Sequence, residues 1–254
     1  MSAWAGVGAA YAASYADLCI GTAPAIRTAV GPARDRALLD VGSGTGALGA
    51  LLASAGWRVT GCEPEQSMRA VSAAQHPAVR VVDGALPSLP FPDAAFDAVT
   101  ANFVLNHVSE PRESAAELVR VAAPGATLVA TIWTLAPAWF WAEVCERADL
   151  AASTGERLPA EQDFERTANG FALMLADGGW YAEVDEITWT WHATREALWE
   201  SAAGGVASAG AFYLSLDAGE RVLFRDAFDA LCDERADAGR IALQHTAALA
   251  VARR

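Results

Sequence analysis

The stretch from Ala37 to Gly56, ALLDVGSGTGALGALLASAG, constrains the fold more than any other part of the chain. Leu38 to Val41 reads as a buried strand and Gly42, Gly44 and Gly46, with Ser43 among them, as a tight turn. Leu48, Leu51 and Leu52 then share one face of a helix. Such a unit is expected to aim free backbone N–H groups at whatever sits over the turn, and its glycines let that ligand come close to the main chain. Asp40, two residues ahead of Gly42, bears on the choice of ligand. A carboxylate repels a pyrophosphate at close range but suits a nucleoside that carries an ammonium or sulfonium group.

LLDVGSGTG resembles the first motif of class I S-adenosylmethionine-dependent methyltransferases. The same glycines also permit a nicotinamide reading, because Gly44, Gly46 and Gly49 spell GxGxxG and Glu63 follows at the distance that fingerprint asks. A second strand, Trp57 to Cys62, ends at Glu63 and Pro64, and a carboxylate there can take both ribose hydroxyls under either reading. The later motifs separate the two. EPEQSMRA resembles the methyltransferase pattern that lays Met68 against the adenine, with a core methionine as the alternative. LPFPD followed by FDAV, and ELVRVAAPGATLVATIW, are similar to methyltransferases related to ubiquinone and menaquinone biosynthesis. The resemblance is dense from Leu38 to Trp133 and thin beyond.

What the resemblance implies can be placed residue by residue. An N-terminal helix over Trp4 to Val30 would fold across the cofactor and offer Tyr11 or Tyr15 to its methionine end; plain packing of these rings on the core is the alternative. Asp83, Gly84, Ala85 and Leu86, after a third strand Val79 to Val82, would meet the adenine. Many relatives carry an aspartate where Ala85 stands, so either Asp83 or the backbone of Ala85 and Leu86 must serve. Asn102 and Phe103, at the end of a fourth strand Ala98 to Asn102, would neighbour the methionine part. Asn106 and His107 would face the acceptor, His107 as a base or as a helix-start histidine bonding locally. The cofactor implied is S-adenosylmethionine, with S-adenosylhomocysteine as product.

Composition narrows the remaining classes. The net charge of −13 disfavours a surface that tracks nucleic acid, and all 18 basic residues are arginine, so lysine Schiff-base chemistry and a Walker lysine are excluded. Four scattered cysteines, Cys19, Cys62, Cys145 and Cys232, lack the spacing of a zinc site and are expected as buried thiols; no metal is expected. No stretch reads as a membrane span and none as a basic secretory leader, so the cytoplasm is the expected compartment.

The expected fold is α/β: a Rossmann-like, seven-stranded, mostly parallel sheet with an antiparallel last strand, helices on both faces and a helical cap. Residues 1–133 would form the N-terminal segment and cofactor core, with a fifth strand at Thr127 to Trp133, and 134–176 a helical acceptor lid. Residues 177–254 would complete the sheet with strands at Val184 to Trp191 and Ala247 to Ala252, carrying a lid-like loop at 201–217. Trp133, Trp139, Phe140, Phe212 and Tyr213 are candidates for an apolar acceptor pocket. The expected activity is methyl transfer to a small, apolar or aromatic acceptor. Nicotinamide oxidoreduction and cofactor binding without turnover are the alternatives, and the sequence does not define the oligomeric state.

Overall fold

The computed structural model describes residues 4–135, 139–151 and 158–254. Seven strands form one sheet: β1 Ala37–Val41, β2 Arg58–Cys62, β3 Arg80–Val82, β4 Phe96–Asn102, β5 Ala122–Leu135, β6 Glu183–Thr194 and β7 Arg240–Arg253. Their order is β3-β2-β1-β4-β5-β7-β6, and β7 alone runs antiparallel, paired with β5 on one side and β6 on the other. The chain winds outward from β1 to β3 and returns to the far side of β1 as β4. That reversal opens a crevice at the carboxyl ends of β1 and β4, where ligands of open α/β sheets bind. Asp40 of β1 pairs there with Thr100 of β4.

Both faces of the sheet are covered because its strands alternate apolar side chains to each side. On one face Leu39, Val99, Leu128 and Ile132 pack under α6 (Pro111–Val121) and α8 (Ala168–Asp177). On the other, Leu38, Ala98, Val129 and Leu249 meet α3 (Ala23–Val30) and α4 (Ala47–Ser54). β6 and β7 run on past the end of β5, whose last pairing is Leu135 with Thr246. This ribbon is covered by α7 (Trp139–Arg147), α9 (Arg195–Ala203) and α11 (Ala218–Arg235), in a core built on Phe140, Trp191, Phe224, Phe228, Ile241 and Leu243.

Several local expectations change. The segment Trp4 to Val30 is broken into α1 (Gly8–Ala12), α2 (Tyr15–Cys19), a 3₁₀ turn (Ile20–Thr22) and α3. Ser14 interrupts it, turning its hydroxyl back to the Ala10 carbonyl at 2.6 Å. Leu51 does not share the buried face of α4 with Leu48 and Leu52; it is 47% exposed. The stretch 201–217 is not a loop, for it contains α10 (Ala207–Ser215), and a Cβ at Gly210 would lie 2.3 Å from the Gly205 carbonyl carbon. The glycines there permit close packing. Pro124 and Gly125 lie inside β5, where the pairing with β4 shifts register between Phe96 and Ala98. The segment 134–176 divides: α7 joins the helical layer while α8 covers the sheet, and residues 136–138 and 152–157 lie outside the described residues. No helix among the described residues is long and apolar enough to cross a membrane.

Candidate active site

The turn after β1 spends its backbone donors on its own neighbours. Gly42 and Ser43 both donate to the Cys62 carbonyl, at 2.8 and 3.2 Å, and Gly46 donates to the Ser43 carbonyl at 2.9 Å. Gly44 donates to Glu63 Oε2 at 2.9 Å. The free amides expected over this turn are therefore absent at these four positions, and a pyrophosphate would find no cradle of donors there. Gly46 adopts φ +83, and a Cβ on it would strike Ser72 Oγ at 2.3 Å, so only glycine fits. Gly44 differs: a Cβ there would meet only Tyr11, 3.7 Å away, because the tyrosine ring lies over it.

Two carboxylates face this turn. Asp40 is 2% exposed; its Oδ1 accepts from Thr100 Oγ1 at 2.8 Å, while its buried Oδ2 has no partner among the described residues. Burial is the main cause that pushes its pKa up to about 7, opposed by the Thr100 hydrogen bond and by the Gly49 backbone amide and reinforced by the nearby Glu63 charge. Glu63 is 7% exposed and accepts from Gly44 through Oε2 and from the Glu65 backbone through Oε1, both at 2.9 Å. Burial raises its pKa too, held back by those two hydrogen bonds. Two buried acids side by side, one with an orphaned oxygen, make a place that favours positive charge.

A cavity of about 40 Å³ lies against Asp40, bounded also by Tyr11, Cys19, Ser43, Gly44 and Asn102. That is room for a few waters, whereas a site for a drug-sized ligand needs roughly 300 Å³ or more. The N-terminal segment fills the difference. Tyr11 covers the turn, with burial raising the pKa of its hydroxyl. Tyr15 instead faces the helical layer, edge-on to Trp191 at 6.2 Å, and its hydroxyl is pushed up to about 12 by burial. The arm is held by Gly6 N–H on Glu65 Oε1 (3.2 Å), Gly8 N–H on Ser67 Oγ (3.1 Å), and the Trp189 and Trp191 indoles on Leu18 O (3.1 Å) and Asp17 Oδ2 (3.0 Å).

The other candidates divide. Met68 is buried beneath the arm with Val7 and Val206, and Pro64 is exposed. Asp83 is held by Arg69 through two contacts of 3.1 Å, which occupies the carboxylate that adenine would need. A Cβ on Gly84 would meet Pro90 Cδ at 2.6 Å; Ala85 pairs with Ser88 and Leu86 packs on the core. Asn102 lines the cavity, but its polar atoms are engaged: Oδ1 accepts from Thr22 and Thr131, and Nδ2 donates to Cys19 O. Phe103 follows at φ +58, its ring stacked on Trp133 at 3.7 Å.

His107 is at the surface, with Asn106 Nδ2 donating to its Nε2 at 3.0 Å and Trp4 edge-on at 5.2 Å. Its Nε2 lone pair is already bonded to Asn106, so it is poorly placed to act as a base. Of the expected acceptor-pocket rings, Trp133, Phe140, Phe212 and Tyr213 share one packed cluster and Trp139 stands outside it. Trp139 is 41% exposed beside Arg235, and Phe140, Phe212 and Tyr213 pack into the helical-layer core. Only Trp133 stands at the strand ends, next to Phe103, Trp189 and His245. His245 has no spacing signal in sequence; only its place opposite Trp189 reveals it.

Comparison with known proteins places this geometry in a family context. Residues 39–130 match the family described as a methyltransferase domain, from β1 into β5. A demethylmenaquinone methyltransferase of Renibacterium salmoninarum is 39% identical over 101 residues, covering 40% of this chain and 43% of the relative. A demethylmenaquinone methyltransferase of Paenarthrobacter aurescens is 31% identical over 159 residues, 56% of this chain and 61% of the relative. The matches thus span about half the length of these relatives. Among solved structures, the YcgJ protein of Bacillus subtilis superposes with a TM-score of 0.57 over 92% of this chain and 99% of its own, at 18% identity, a likeness of fold.

Proposed function

We propose that this chain, built around a methyltransferase domain at residues 39–130, binds S-adenosylmethionine and transfers its methyl group to a small organic acceptor. The observation that carries the reading is Asp40, a buried carboxylate with an unpartnered oxygen at the cavity beside the turn. A cationic ligand supplies the charge that Asp40 and Glu63 lack, whereas the dinucleotide alternative would set a pyrophosphate against two acids and a turn whose amides at Gly42, Ser43, Gly44 and Gly46 are already taken. When bound, the cofactor supplies a methyl group already activated by its sulfonium. Glu63, once released from Gly44, would accept from the ribose hydroxyls, and Met68 would back the adenine side. Tyr11 would close over the ligand and exclude water. The residues of the chain therefore orient and desolvate more than they activate.

The demethylmenaquinone named for the two relatives is one acceptor to test, but their identity is spread over little more than the cofactor half, and acceptor pockets diverge within folds. Calorimetric titration with S-adenosylmethionine, S-adenosylhomocysteine and NAD tests the reading. Binding of the first two, weakened tenfold or more in Asp40→Ala, supports it; binding of NAD alone would overturn it. Cofactor binding without turnover is the second reading, favoured by the Phe103–Trp133 stack that fills the strand ends. Radiolabelled methyl transfer to a panel of phenols and quinols separates the two.

A further inference from the structure

His245 is 4% exposed on β7, directly opposite Trp189 of β6. Its Nδ1 lies 3.0 Å from the Leu243 carbonyl oxygen. A carbonyl can only accept, so the ring proton sits on Nδ1 and Nε2 keeps its lone pair. No donor or acceptor among the described residues bonds Nε2, and the atom is not sealed from solvent. An imidazole held in one tautomer with its other nitrogen open is set up to accept a proton.

The rings around it form a wall. Trp133 lies 5.4 Å from His245, Trp189 5.8 Å at an interplanar angle of 24°, and Trp191 6.4 Å. Phe103 lies flat on Trp133, with 3.7 Å between centroids and 7° between planes. Its φ of +58 is a conformation that a bulky side chain keeps only when its surroundings impose it, and such outliers collect at functional sites. Phe103 directly follows Asn102, which lines the cavity beside Asp40. Phe103 thus ties the ring cluster around His245 to the strand end whose Asn102 lines the cofactor cavity.

We propose that this cluster is the acceptor site: a flat aromatic acceptor bearing a hydroxyl lies against Trp133, with Phe103 moved off to admit it, and His245 Nε2 takes the hydroxyl proton. The assignment rests on the methyltransferase reading. The acceptor oxygen forms the new O–CH₃ bond as its proton passes to Nε2. The breaking C–S bond leaves its electron pair on sulfur, giving S-adenosylhomocysteine. The imidazolium then returns its proton to water, a step eased because burial lowers the pKa of His245. His107 stays outside this chemistry.

The test uses the whole protein with S-adenosylhomocysteine present and 2-naphthol as the probe, read by tryptophan fluorescence and by ¹⁵N NMR of the four histidines. Expected are quenching by 2-naphthol, a shift of the His245 Nε2 resonance on its addition, and at least tenfold weaker naphthol binding in His245→Gln and in His245→Phe, with S-adenosylhomocysteine affinity unchanged. The NMR shift is read on the wild-type protein and so stands even if a variant fails to fold. Equal naphthol binding in a folded variant, no shift at His245, or no quenching while S-adenosylhomocysteine binds would each overturn the acceptor site and leave the cofactor reading intact. If the wild-type protein does not bind S-adenosylhomocysteine, the functional reading fails and the acceptor site with it.

Discussion

A carboxylate as deeply placed as Asp40, with one oxygen on Thr100 and the other short of a full hydrogen bond, keeps its proton to a pKa of about 7 because burial penalises its charge. The folded chain therefore holds this proton more tightly than the unfolded chain, whose carboxyl releases it near its ordinary value of 3.8. Stability from this group is highest below about pH 4, falls as pH rises through the window from 4 to 7, and stays low above it. Asp40→Asn keeps an acceptor for Thr100 and removes the charge. It is expected to stabilise the free protein at pH 8 by about 2–4 kcal/mol and to do nothing at pH 4, as measured by denaturant unfolding. The same substitution should weaken S-adenosylmethionine binding at least tenfold. In the wild type, cofactor affinity should fall as pH drops below 7, read by calorimetry across pH 5 to 8.

The arm of α1 and α2 acts as one element because its anchors come from three directions: α5 (Gln66–Gln75) and the residue capping it, β4 through the Thr22–Asn102 hydrogen bond, and the two β6 indoles. Gly21, in the 3₁₀ turn that follows α2, is one point of close approach to β6, for a Cβ there would lie 2.2 Å from Trp189 Nε1. Gly21→Ala should lift the arm from β6, making trypsin cleavage at Arg27 several-fold faster and speeding cofactor association, measured by limited proteolysis and stopped-flow fluorescence. Much at this scale is legible in the sequence. β1, its glycine turn and α4 follow from apolar runs and turn residues, and Asp40 and Glu63 stand out as acids at strand ends. What stays hidden depends on partners distant in sequence. That Gly44 donates to Glu63, that Arg69 takes Asp83 and that Phe140 packs against Phe228 are facts of tertiary contact, to which periodicity is blind. α10 is hidden because Gly210, with Gly204 and Gly205 just before the helix, reads as flexibility where these glycines serve close packing.

On the scale of the whole molecule, the helical layer and the sheet share side chains: Trp191, Ile241 and Leu243 belong to the strands and to the core beneath α7 and α11. The layer is thus expected to unfold with the sheet, as a single calorimetric transition. Phe228, wholly buried in that shared core, should report on both, and Phe228→Ala is expected to cost about 3–5 kcal/mol while keeping one transition. Two separate transitions would show the layer to be an independent unit. The place of β7 between β5 and β6 has a further consequence, in time rather than in space. During synthesis β5 and β6 leave the ribosome with their facing edges unpaired, and they stay so until residues 240–253 have followed. Until then the nascent chain exposes two strand edges of the kind that pair with other chains, so translation that stalls before β7 would yield a product prone to aggregate rather than a smaller folded protein.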